Sequence, residues 1–181
     1  MTPTELLKHE HKIVLMVLEG AEKEARSIGE HGVINELNLE RMVDFFRNFT
    51  DKCHHAKEEK HLFILMQERG VPKEGGPIGV MLHEHEQGRA RVKAVAEAIP
   101  KAKSGDANAR EALKDNLAAY VELLQGHIDK ENNVLFPMAD RILTPEDQKT
   151  LTDAFDRIEA AEMGEGTHEK YHHLAHEMAG H

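Results

Sequence analysis

The chain carries a single cysteine, Cys53, in 181 residues, which excludes an internal disulfide framework and any thiolate-rich zinc or iron–sulfur site. Positive charge is also short: 23 Lys and Arg stand against 33 Asp and Glu, a formal net charge of −10. No nucleic-acid partner is expected, because binding to a phosphate backbone rests on clustered Lys and Arg. Long apolar runs are missing too. The longest unbroken one, Ile13 to Leu18, is far too short for a bilayer, and the start MTPTELLKHEH lacks the apolar core of a secretory signal. No membrane association and a cytoplasmic location are therefore expected. Neither a nucleophile constellation nor a phosphate loop occurs, so a metal-free enzyme finds no support.

Histidine, by contrast, is abundant, with 14 in the chain. Two stretches place it in a pattern: CHHAKEEKHLF from Cys53 and GHIDKENNVLF from Gly126. In each, a His is followed four residues later by a Glu, and then by Leu-Phe. The pairs are His54 with Glu58 and His127 with Glu131. On an α-helix a spacing of four stacks both side chains on one face. Upstream of the two copies lie KHEHKIV, with His9 and His11, and LHEHEQG, with His83 and His85. The order HEH, HxxxE, HEH, HxxxE describes a duplicated helical hairpin.

Apolar periodicity selects among the candidates. Thr2-Pro3-Thr4-Glu5 starts a first helix with a capping box, ending near Ser27 with Gly29 beyond it. Leu7, His11, Val14, Leu18, Ala21 and Ala25 form its buried stripe, so His11 points inward and His9 outward. A second helix is predicted over about 39–69. There Val43, Phe46, Thr50, His54, His61 and Leu65 form the inner face, while Asp44, Asn48, Asp51, His55 and Glu59 form a polar stripe read as solvent-facing. On this reading His54→Ala and His127→Ala abolish the site, and His55→Ala and His9→Ala leave it intact. The third helix runs from about Pro77 to Lys103, with His85 preferred over His83. The fourth, capped by Asp106, aligns Leu117, Leu124, His127, Glu131 and Val134, and Pro137 should kink or end it. Thr144-Pro145-Glu146-Asp147 opens a fifth helix and Thr167 a short sixth, joined by Gly164-Glu165-Gly166.

Four His and two Glu on core stripes would each cost about 1–3 kcal/mol or more if left unpaired, which calls for a cation among them. Nitrogen and oxygen donors without thiolate suit iron, zinc, copper or manganese, and two carboxylates able to bridge suit two ions better than one. A ferritin-like carboxylate site needs ExxH on two helices. Glu58 with His61 supplies one, and Val134 stands where the second would require His.

In these residues the chain resembles the hemerythrin family, in its HHE cation-binding form, from near the N-terminus to about Pro137. The resemblance implies an all-α fold: an up-down-up-down four-helix bundle over 1–143, with two extra C-terminal helices over 144–181. It implies two iron ions, a non-haem di-iron centre with carboxylate and oxo or hydroxo bridges, held by His11, His54, Glu58, His85, His127 and Glu131. Relatives of this kind bind dioxygen, nitric oxide or peroxide, act on them as enzymes, or respond to and donate iron. Oxygen-carrying members have a second His four residues from the first on the third helix. Met81 and Arg89 occupy those positions here. One ion thus either keeps an open or water-filled position or is completed from outside the bundle, with His168 the first candidate and His172 the second.

Overall fold

The computed structural model describes residues 1–180 and contains no strand among them. Six helices follow one another: α1 (Pro3–His31); α2, continuous over Glu36–Phe45, Phe46–His55, Glu58–Leu62 and Phe63–Glu68; α3 (Pro77–Lys103); α4, continuous over Ala107–Lys130, Glu131–Leu135 and Phe136–Ile142; α5 (Pro145–Glu162); and α6 (Thr167–Met178). The first four form the up-down-up-down bundle, α3 packing on α4, α1 on α4, and α2 on α3. The two C-terminal helices lie against it.

Local chemistry sets the starts. Thr2 accepts from the Glu5 amide at 3.2 Å while Glu5 accepts from the Thr2 amide at 2.7 Å, closing the expected capping box. Thr144 and Asp147 repeat it for α5, and Asp106 caps α4 by accepting from Ala109 N at 3.0 Å. The end of α1 differs from expectation. The helix passes through Gly29 and stops at Gly32, whose φ of 64° satisfies the last carbonyls in the left-handed conformation.

The larger departure lies inside α2 and α4, where Phe46–His55, Glu58–Leu62 and Glu131–Leu135 are π-helical. An i→i+5 turn takes one residue more than an α-turn, so a stripe projected at 3.6 residues per turn drifts. Along α2 the inner face expected at His61 and Leu65 has moved by one residue, to Leu62 and Met66, both fully buried. The same widening lets α4 continue past Pro137. The π turn ends at Leu135, and Pro137 falls in the first turn of the next α segment, where a missing N–H costs little.

Two apolar clusters flank the middle of the bundle. One gathers Val17, Leu18, Phe45, Phe49, Leu117 and Leu124; the other gathers Leu7, Leu62, Phe63, Met81, Leu135 and Phe136. The C-terminal helices enter both, Tyr171 and Leu174 in the first and Leu151 and Phe155 in the second. Gly20 allows the closest approach: a Cβ there would stand 2.8 Å from Met178 Cβ, so α6 can lie on α1 only over a residue without one. Arg69 donates to both oxygens of Asp147, and Tyr171 Oη donates to Asp44 at 2.9 Å, tying α5 and α6 to α2.

Candidate metal centre

Between the two apolar clusters, seven fully or nearly fully buried side chains converge: His11 from α1, His54, His55 and Glu58 from α2, His85 from α3, and His127 and Glu131 from α4. Their donor atoms form two groups, each within 4.8 Å: His11, His54, Glu58 and Glu131; and His55, Glu58, His85 and His127. Glu58 belongs to both. Glu131 reaches toward the second as well, with Oε1 3.2 Å from His127 Nε2 and 4.0 Å from His85 Nε2.

The other ring nitrogen of each His faces an acceptor. His54 Nδ1 donates to Glu10 Oε2, His85 Nδ1 to Glu59 Oε1 and His11 Nδ1 to Asn132 Oδ1, all at 2.7 Å. His55 Nδ1 donates to Asp51 Oδ1 at 3.3 Å, and His127 Nδ1 lies 3.7 Å from Glu84 Oε2. Carboxylate and amide oxygens only accept here, so a proton sits on Nδ1 and each Nε2 is left to face the centre. This is the outer arrangement that orients metal-binding imidazoles.

Bringing acceptors together in a dry core is costly unless something positive joins them. The buried atoms left without a hydrogen bond include His11 Nε2, His54 Nε2 and all four oxygens of Glu58 and Glu131. His85 Nε2 and His127 Nε2 stand 3.1 Å apart. Two nitrogens on one tetrahedral ion at 2.0–2.1 Å lie roughly 3.3 Å apart. The donor set therefore fits a pair of cations sharing Glu58 and Glu131.

Without an ion, the charges settle on the imidazoles. Burial alone would lower the His54 and His127 pKa values, but Glu58 and Glu10 beside the first, and Glu131 and Glu84 beside the second, raise both to about 10. His55 moves the other way, well down, through burial and the neighbouring His85, His54 and His127. Burial opposes ionisation of Glu131, yet His127 and His11 hold its carboxyl well below the usual range.

Six of the seven residues expected from sequence meet here, and His168 does not. It lies at the start of α6, 41% exposed in its side chain, with Nε2 3.5 Å from Glu159 Oε1 and its ring against Phe49. The apolar face of α6, Tyr171, Leu174, Ala175 and Met178, carries the helix onto α1 instead, with Tyr171 also against Phe45 of α2. A further inward imidazole stands next to His54 in the chain. His55, read as solvent-facing, is 5% exposed and stacks on His85 with ring centroids 3.8 Å apart. The π-helical stretch turns His54 and His55 to opposite sides of the inward direction. Its polar neighbours face α3: Arg89 donates to Asp51 at 2.9 Å and to Glu59 at 2.8 Å, and so braces the acceptors of His55 and His85 together.

A second signal was present in the repeat. Both copies read HxxKE, and in both the Lys pairs with the middle Glu of the preceding HEH: Lys57 with Glu10, and Lys130 with Glu84. Lys57 is completely buried and also donates to Glu159 of α5 at 2.6 Å. Glu10, Cys53 and Glu159 also cluster as possible metal donors, but the ammonium of Lys57 already supplies their positive charge. On the other side, a cavity of about 170 Å³ reaches His55 and His85 between Phe46, Gly88, Arg89 and Tyr120.

Residues 2–139 match the hemerythrin HHE cation-binding domain. An uncharacterized protein of Mycobacterium tuberculosis is 24% identical over 165 residues, covering 91% of this chain and 64% of that protein. The iron-sulfur cluster repair protein YtfE of Pectobacterium carotovorum subsp. carotovorum is 35% identical over 115 residues, 61% of this chain and 48% of that one. YtfE of Edwardsiella ictaluri is 28% identical over 134 residues, 73% and 59%. The chain thus spans less than two thirds of the length of these relatives. No solved structure matches.

Proposed function

We propose that this chain, which belongs to the hemerythrin HHE cation-binding family, is a non-haem di-iron protein that takes a small ligand such as dioxygen, nitric oxide or peroxide in defence against oxidative or nitrosative stress. The observation that carries the reading is the shared Glu58 between two buried imidazole–carboxylate groups, with the orphaned oxygens of Glu58 and Glu131. His11 and His54 would hold one ion, and His55, His85 and His127 the other, with Glu58 and Glu131 across both. Two iron ions so placed would supply open coordination positions and a redox couple.

The remaining residues orient and protect. Glu10, Asp51, Glu59 and Asn132 fix four imidazoles by their Nδ1 protons, and Glu84 faces the fifth. Phe136 stacks on His11 at 5.4 Å and Phe63 on His85 at 6.1 Å, keeping water from that end. The cavity beside His55 and His85 is the route for a ligand, and it favours the second ion as the reacting one.

A second reading, release of iron for repair of iron–sulfur clusters, is favoured by the likeness to the iron-sulfur cluster repair protein YtfE. One experiment separates the two. Anaerobically reduced, iron-loaded protein is analysed for metal, and its visible spectrum is followed after addition of dioxygen or nitric oxide. Two irons per chain and a reversible charge-transfer band support ligand binding; loss of iron to an added chelator on ligand addition supports donation. One iron or none per chain in fully loaded protein overturns the di-iron reading.

A further inference from the structure

The buried centre leaves the histidines of the tail unused, and α6 sets three of them in a row. His168, His172 and His176 recur every four residues, so their rings stand one turn apart on one face. Ring centroids are 5.4 Å apart for His168 and His172, and 5.8 Å for His172 and His176. A fourth ring comes from another helix. His9, at the outward position of the first HEH, stands 6.0 Å from His172. It does so because α6 lies on α1 over Gly20. His172 is therefore a hub with three imidazole neighbours, half-buried at the seam between the bundle and its extension.

That spacing is compatible with a shared ion. Two imidazoles on one tetrahedral ion, with nitrogens 2.0–2.1 Å from it, have ring centroids roughly 5–5.5 Å apart. The His168–His172 pair already stands in this range, while His9 and His176, at 6.0 and 5.8 Å from His172, reach it by ring rotation. A solvated His-rich helix would account for the row on α6 alone, but not for an imidazole brought to its middle from α1. The donors are neutral nitrogens without thiolate, and the nearest carboxylate, Glu159 Oε1, lies 3.5 Å from His168 Nε2 at one end of the row. Such a set takes borderline divalent cations in the order copper above nickel and zinc, and has little to offer magnesium or calcium.

We propose that His172, with His168 and His9, forms a second and exposed transition-metal site at the seam between α6 and α1, taking a borderline divalent cation such as nickel, copper or zinc. His176 extends the site by one further turn. None of these residues belongs to the buried groups, so the site is independent of the di-iron reading. An ion bound there joins α6 to α1 and so clamps the C-terminal extension to the bundle.

The test uses the full chain loaded with iron, so that the buried centre is filled, dialysed against nickel in a non-chelating buffer. Nickel and iron are counted in the same sample and thermal unfolding is followed. Wild type should take up one nickel per chain beyond its iron and melt at a higher temperature with nickel present. His172→Ala and His172→Gln should lose both effects, and His9→Ala should bind nickel at least about tenfold more weakly, as expected for loss of a ligand or its support. His173→Ala, on the exposed side of the same helix, should match wild type. Nickel uptake unchanged in both His172 variants, or absent from wild type, overturns the site; unchanged affinity in His9→Ala overturns its place at the seam. A sample that holds no iron, yet shows the nickel difference, overturns the di-iron reading and leaves this one standing.

Discussion

His54 and His55 are neighbours in the chain and serve opposite halves of the site. His54 Nε2 lies 3.3 Å from Glu58 Oε1, while His55 groups with His85 and His127 around the other side of Glu58. Removing the His55 ring takes one of three imidazoles from the second group and leaves the first complete. His55→Ala is therefore expected to hold about one iron where wild type holds two, with the remaining ion still on His11, His54, Glu58 and Glu131. His168→Ala should leave the iron count unchanged. Metal analysis of the loaded proteins checks both, and a full complement in His55→Ala would reduce that residue to packing.

Between elements, the tail touches the centre through a chain of charges. Glu159 of α5 accepts from Lys57 of α2, Lys57 donates to Glu10 of α1, and Glu10 accepts from the ligand candidate His54. Glu10 is held ionised despite burial by His54 and Lys57. A buried ion pair adds little net stability, but cutting it from one side strands a charge in the core, at about 3–5 kcal/mol. Glu10→Ala should lower the unfolding free energy of the metal-free protein by that order, Lys57→Met by clearly less, and the double variant should recover part of the loss. Denaturant unfolding of the three proteins measures this. Strict additivity would show that Lys57 is solvated after Glu10 is removed and that the chain does not act as a unit.

For the whole molecule, the proposed metal would compete with protons for the same nitrogens. The raised pKa of about 10 for His54 and His127, against about 6.5 in an unfolded chain, means the folded metal-free protein binds more protons between those values. Their contribution is complete below about pH 6.5 and is lost as pH rises toward 10. His55 and Glu131 act at the other end. Their depressed values make the folded state lose ground as pH falls below the unfolded pKa of each. The metal-free protein should therefore be most stable at roughly pH 6–7. In the proposed centre metal would replace the protons on His54 and His127, so removing it with a chelator should lower the melting temperature more at pH 9 than at pH 6.5. Equal drops at the two values would show that these imidazoles do not carry the metal.

The all-α class, the hairpin duplication and six converging donors are determined by the sequence itself, because capping boxes, apolar stripes and a four-residue His-to-Glu spacing are local properties of a helix. The Lys in both HxxKE copies and the middle Glu of both HEH copies were equally visible, though their pairing across helices was not. Tertiary structure decided the rest. Repeat alignment sets His55 against Ile128, and a wheel of 3.6 residues per turn places it outside. Only the packed bundle, with its π-helical turns, brings the ring beside His85. His168 illustrates the converse: spacing along a helix leaves open which surface that helix will cover. The apolar face of α6 and the missing Cβ at Gly20 settle it, since burying that face against α1 and α2 outweighs a longer reach to the centre.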